Sequence, residues 1–205
     1  MAQSAPEKFT RRSWLRAGLT IPLFRARAAA ILTVSFDGDN LHVAAPQLHF
    51  LTGKPLSRLM DGSSVVFLSQ ITIFRDDRGT VFRRVPERLT VSYDVWEEKF
   101  KVVMALYPRT ASGLSMAVAE TWCLENLAIS ALGLEPDRPF WMRFDLRAAD
   151  EKDLASVVGD PGISIRGLIE LLGRKPGAGE PVWTLPAGPL RLADLPRTAA
   201  RGNRG

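Results

Sequence analysis

Apolar and polar residues alternate with period two through the middle of the chain. Within residues 88–96, Leu89, Val91, Tyr93 and Val95 fall on one side and Thr90, Ser92 and Asp94 on the other. Residues 99–106 repeat the pattern, with Phe100, Val102, Met104 and Leu106 in phase. Residues 140–147 set Phe140, Met142, Phe144 and Leu146 against Trp141, Arg143, Asp145 and Arg147. Successive side chains of a strand point to opposite faces, so each stretch predicts a strand with one buried face. Clean alternation predicts antiparallel pairing. Residues 31–36 and 65–74 add further strands, and the second is apolar enough to predict a central position. Residues 37–40 and 76–79 carry the Asp, Asn and Gly of hairpin turns, and residues 96–98 form a third reversal. Pro86 has no N–H to give, which predicts a bulge or an edge.

Helical spacing appears in three places. Residues 55–60 predict a short helix stopped at Gly62, and residues 163–172 a second, ended by Gly173 and Pro176. A long helix is predicted over residues 113–132, with Ser112 as its cap and Gly133 as its stop. Leu114, Val118, Trp122, Ile129 and Leu132 then form one stripe, predicted to cover the apolar face of the sheet. The fold class is α+β: an antiparallel β-sheet of about six to eight strands, able to fold over as a sandwich, under one long covering helix and two short ones.

Composition changes the picture at the N-terminus. The chain of 205 residues carries a net charge of +5, with 27 Lys and Arg against 22 Asp and Glu. Residues 1–30 hold six basic residues and one acid, and the remaining 175 hold 21 of each sign. The whole excess therefore lies in the first 30 residues, and the remainder has no electrostatic reason to seek nucleic acid. Those residues divide into a basic start, an apolar patch at 17–24 and small residues at Ala26 and Ala28, the three parts of a signal peptide. Arg11 and Arg12, followed by Trp14 and Leu15, resemble the twin-arginine export signal. The resemblance implies that an export translocase carries the folded protein to the periplasm or beyond, and that an uncleaved signal would tether it to the membrane. A basic amphipathic arm is the other reading, opposed by Pro22 within the patch. The apolar run is well short of the ~20 residues of a transmembrane helix.

The predicted organisation is an export signal at 1–30, a single domain at 31–194 and a disordered Arg/Gly-rich tail at 195–205. Within the domain, a Tyr93 strand, a hairpin leading to Phe100 and Val102, a helix, and a strand holding Trp141 and Leu146 are similar to a family of uncharacterised exported bacterial proteins. That resemblance, over residues 31–150, implies export and an α+β fold, and it brings no activity.

Candidate chemistry is sparse. Gly113-Leu114-Ser115-Met116-Ala117 has the form of a nucleophile elbow, but both histidines, His42 and His49, precede it. An ordinary first-turn residue is the favoured reading of Ser115. Cys123 is the only cysteine, so no intramolecular disulfide forms, and packing is its predicted role. The histidines and the acidic turns do not converge as metal ligands must. No phosphate loop, haem or iron–sulfur motif implies a cofactor. Glu125 falls inside the predicted apolar stripe, where a carboxylate needs a partner; Arg143 or Arg84 is expected to supply it. Trp141, Arg143 and Arg147 share a polar strand face, with Trp96 expected on a neighbouring one, and exposed aromatics beside arginine suit a partner surface. The alternative is that Trp183 and Leu185 cover that face. The sequence thus favours a non-enzymatic cell-envelope module that binds a protein partner or an apolar ligand. A small periplasmic hydrolase using Ser115 or Glu125 is the alternative.

Overall fold

The alternating stretches build two antiparallel sheets that share a core. The computed structural model describes residues 30–75, 79–149, 165–173 and 181–198. The small sheet consists of β1 (Thr33–Phe36), β2 (Asn40–Ala44) and β7 (Ala128–Ser130), in the order β1-β2-β7. The large sheet contains β3 (Val65–Arg75), β4 (Thr80–Asp94), β5 (Lys99–Met104), β6 (Arg109–Leu114), β8 (Phe140–Ala148) and β9 (Val182–Leu190), in the order β6-β5-β4-β3-β8-β9. The near-continuous apolar strand β3 is central, between β4 and β8, as its composition predicts.

Leu41, Val43 and Ile129 of the small sheet meet Ile71, Val91, Val102 and Phe144 of the large one in a single cluster. Each such fully buried apolar side chain contributes about 1.5–3 kcal/mol relative to exposure. Trp183 and Leu185 of β9 join this inner face, and Trp183 packs beside Phe50 and Phe67. They therefore do not cover Trp141 and Arg143, which stand on the opposite face of the same sheet.

The turn at residues 37–39 is the expected hairpin, with Gly38 at φ 109°, where a side chain is disfavoured. The reversal after β4 is also as expected, while most of the turn at 76–79 lies outside the described residues. Pro86 sits in a central strand, yet β5 pairs with β4 only from Leu89 onward. Pro86 therefore occupies a local edge, where a missing N–H costs no ladder bond.

The helices depart from expectation. α1 (Gly53–Met60) stands close to its predicted place, and α3 (Ile165–Gly173) begins inside its predicted range, whose first residues are not described. The long covering helix is not one element. Residues 109–114 form edge strand β6, α2 covers only Met116–Glu125, and β7 begins at Ala128. Asn126 ends α2 by donating its side-chain amide to the Trp122 carbonyl, a local bond that competes with further helix. The buried face is Ala119, Glu120, Cys123 and Leu124, not the predicted stripe; Val118 is exposed and Leu132 is 78% exposed. The small residues Ala119 and Cys123, four apart, let the helix seat closely.

The predicted tail is also revised at its start. Residues 192–194 form a short 3-10 turn, and the chain then runs parallel to β1. Phe36 donates to the Pro196 carbonyl and Thr198 donates to the Phe36 carbonyl. Residues 199–205 lie outside the described residues, as do Arg11, Arg12, Trp14, Leu15, Ala26 and Ala28 of the predicted signal. Among the described residues, no helix is long and apolar enough to cross a membrane.

Candidate functional site

Two buried carboxylates organise loops around the core, and neither is Glu125. Glu87 on β4 accepts backbone N–H bonds from Arg88, Ala105, Leu106 and Tyr107 at 2.8–3.1 Å. Glu120 on α2 accepts from the Phe50 and Leu51 N–H groups at 2.7 and 2.8 Å, and its second oxygen meets His49 Nδ1 at 2.9 Å. Glu120 is 5% exposed while the His49 ring is 61% exposed, so the pair runs from core to surface. Glu120 also raises the neighbouring Cys123 thiol: burial first, then its negative charge, pushes that group up to about 12. Cys123 is the packing residue its isolation implied. Sequence reasoning missed both acids, since a buried Glu held by backbone donors leaves no partner residue to read.

Glu125 itself is half-buried at the last turn of α2. It lines a cleft of about 410 Å³ with Thr33, Ser35, His42, Pro196 and Thr198. The cleft lies beside the small sheet, whereas Arg84 and Arg143 lie on the outer face of the large one, so the expected pairing is not made with them. His42 Nε2 meets Asp37 Oδ2 at 2.7 Å. That bond, with N–H bonds from Asn40 and Asp39, holds the Asp37 carboxyl at about 2. The histidines are thus engaged by Asp37 and Glu120, not by Ser115. Ser115 follows β6 directly as the residue before α2, and its hydroxyl caps no N–H. Among the described residues, no group of three or more His, Cys, Asp or Glu could hold a metal ion.

The predicted partner face divides. Trp141, Arg143 and Arg147 do share one face of β8, opposite Phe74, Thr72 and Leu68 of β3. Trp96 is 96% exposed, but it sits in the β4–β5 reversal. Val65 pairs near that end and Phe74 pairs with Trp141 at the other, so the length of β3 separates the two tryptophans. Arg143 donates from Nε to Asp145 Oδ2 at 2.7 Å, and its guanidinium lies 5.2 Å from the Phe74 ring centre. Phe74, Trp141, Arg143 and residues 186–188 bound a groove of about 330 Å³. Gly188, at φ 123°, shapes its floor: a Cβ there would stand 2.8 Å from Trp141 Cδ1. Only glycine lets the backbone approach the indole so closely.

No family model, no curated protein and no solved structure matches this chain.

Proposed function

We propose that this chain is an exported, non-catalytic module of the cell envelope that holds an apolar ligand in the groove beside Trp141. The observation that carries the reading is the groove itself: an indole, a phenyl ring and the β9 backbone at Pro186, Ala187 and Gly188 around about 330 Å³, with Arg143 at its wall. That volume suits a small ligand or one end of a larger one. The N-terminal pattern of Arg11, Arg12, Trp14 and Leu15 supports export by a twin-arginine translocase and a periplasmic or extracytoplasmic location. Cell fractionation with N-terminal sequencing of the mature protein tests the location; intact residues 1–30 on a cytoplasmic protein would sink it. Titration with 1-hexanol, followed by tryptophan fluorescence, tests the groove. A saturable change is expected in the wild type and none in Trp141→Ala or Gly188→Ala. An unchanged response in both variants rejects the groove.

The hydrolase reading has one observation in its favour: Glu125 and His42 line the same 410 Å³ cleft. Ester or amide turnover that survives Ser115→Ala and is lost in Glu125→Gln would establish it. No turnover in the wild type removes it.

A further inference from the structure

We infer that the outer face of the large sheet carries an oxyanion subsite, so that the ligand is an amphiphile with an apolar body and a phosphate or carboxylate head. The apolar half of this statement rests on the groove reading above; the anion subsite stands on its own residues.

The strand register builds the subsite. Thr72 of β3 lies between Arg84 of β4 and Arg143 of β8. Two residues along, Gln70 lies between Pro86 and Asp145, and Asp145 pairs with Thr184 of β9. Two further along, Leu68 lies between Arg88 and Arg147. Alternate residues share a face, so four arginines from two strands flank one central strand. Between them is a cleft of about 250 Å³ lined by Gln70, Arg84, Arg143, Asp145 and Arg147, with Ile169 and Leu172 of α3 over it. Arg143 belongs to this cleft and to the Trp141 groove, which makes the two spaces neighbours.

Among the described residues that line the cleft, cationic side chains outnumber acidic ones. Each guanidinium offers five N–H groups in a fork that fits a carboxylate or phosphate edge. Asp145 is the one acid among the described lining residues, and both of its oxygens are engaged, by Arg143 Nε and by the Thr184 hydroxyl at 2.9 Å. Asp145 thereby aligns Arg143 rather than filling the cleft. Arg88, on the same face but outside the cleft lining, has a buried Nε with no hydrogen-bond partner among the described residues. Gln70 donates from Nε2 to the Thr72 hydroxyl at 3.1 Å, leaving its buried Oε1 without a partner among them. A half-turn of that amide keeps the Thr72 bond, with the hydroxyl now donating, and turns Nε2 into a further donor. Residues 31–205 carry no net charge, so this concentration of cations is local to the site. An oxyanion held by Arg84 and Arg143 would lie at the mouth of the apolar groove.

The test is calorimetric titration of the full chain with three probes: inorganic phosphate, 1-hexanol and hexyl phosphate. Phosphate is expected to bind saturably and to weaken about tenfold in Arg84→Gln and in Arg143→Gln, the loss of a charge-assisted pair. Lys101→Gln, an exposed cation on β5, is the control and should leave binding unchanged. Arg84 is exposed, so its variant keeps the fold even if Arg143→Gln disturbs Asp145. Hexyl phosphate is expected to bind tighter than phosphate, with the gain lost in Trp141→Ala. No saturable phosphate binding, or equal weakening in Lys101→Gln, overturns the anion subsite. Phosphate binding without any response to 1-hexanol, and without a gain for hexyl phosphate, leaves the subsite standing and rejects the apolar groove.

Discussion

Glu87 and Glu120 are both sealed in the core, yet they are satisfied differently. Glu87 takes four backbone N–H bonds and its partners are all main chain. One carboxylate thus closes the turn after β5 onto β4. Glu120 takes two backbone N–H bonds and leaves its second oxygen to a histidine that reaches solvent. A buried charge is costly unless fully paired, and fixed backbone dipoles supply that pairing without a second buried side chain. The contrast teaches that the first acid is a closed anchor and the second an anchor with one open edge.

The comparison can be broken at several points. The largest effect is expected from Glu87→Ala, which strips four N–H groups of their acceptor and should cost about 3–4 kcal/mol in urea unfolding. A cost below that of Glu120→Ala would reverse the ranking. Glu120→Ala should cost about 2 kcal/mol, since water can reach the imidazole it abandons. Glu120→Gln should also lower the Cys123 pKa from about 12, although burial keeps the thiol protonated at neutral pH. Thiol-reagent labelling should follow global unfolding in the wild type; fast labelling of the folded protein would contradict the burial.

A smaller effect comes from Asp37, a carboxylate on the surface hairpin with a histidine of its own. Its folded pKa of about 2 lies below the ordinary 3.8, so the ionised form is favoured by folding. The stability it contributes is complete above about pH 4 and is lost as pH falls through about 2. Asp37→Asn should remove that segment of the acid-unfolding curve while shifting neutral stability by about 1 kcal/mol. The least effect, about 0.5 kcal/mol or less, is expected from His49→Ala, because its ring is mostly in water. A larger loss would make His49 an equal partner in the Glu120 anchor.

Strands β3, β4, β5 and β8 were legible because each buries an apolar face: Phe140, Met142, Phe144 and Leu146 face the core as their spacing implies. Strands β6 and β9, which are mostly exposed, gave no such pattern. The helix between β6 and β7 was not. Leu114, Ile129 and Leu132 have helical spacing relative to Val118 by coincidence, and they belong to a strand, another strand and a loop. Asn126 was the local sign of termination. The polar face of β8 was legible as a set, but Trp96 was not separable from it, because alternation gives the side of a sheet and not the position along it. Glu125 drew attention in place of Glu120, five residues earlier, once the helix axis was drawn through the wrong stripe.

The parallel pairing of Arg197 with Phe36 has a bearing on how the chain is made. Synthesis runs from the N-terminus, so β1 leaves the ribosome long before the segment that lines its outer edge. Until residues 196–198 emerge, that edge offers unpaired N–H and C=O groups to any extended strand nearby. Contacts this distant in sequence form late and carry a large loop-closure cost. The small sheet is therefore finished last, and a chain whose translation halts before Pro196 carries an open template for aggregation although most of its core is already complete.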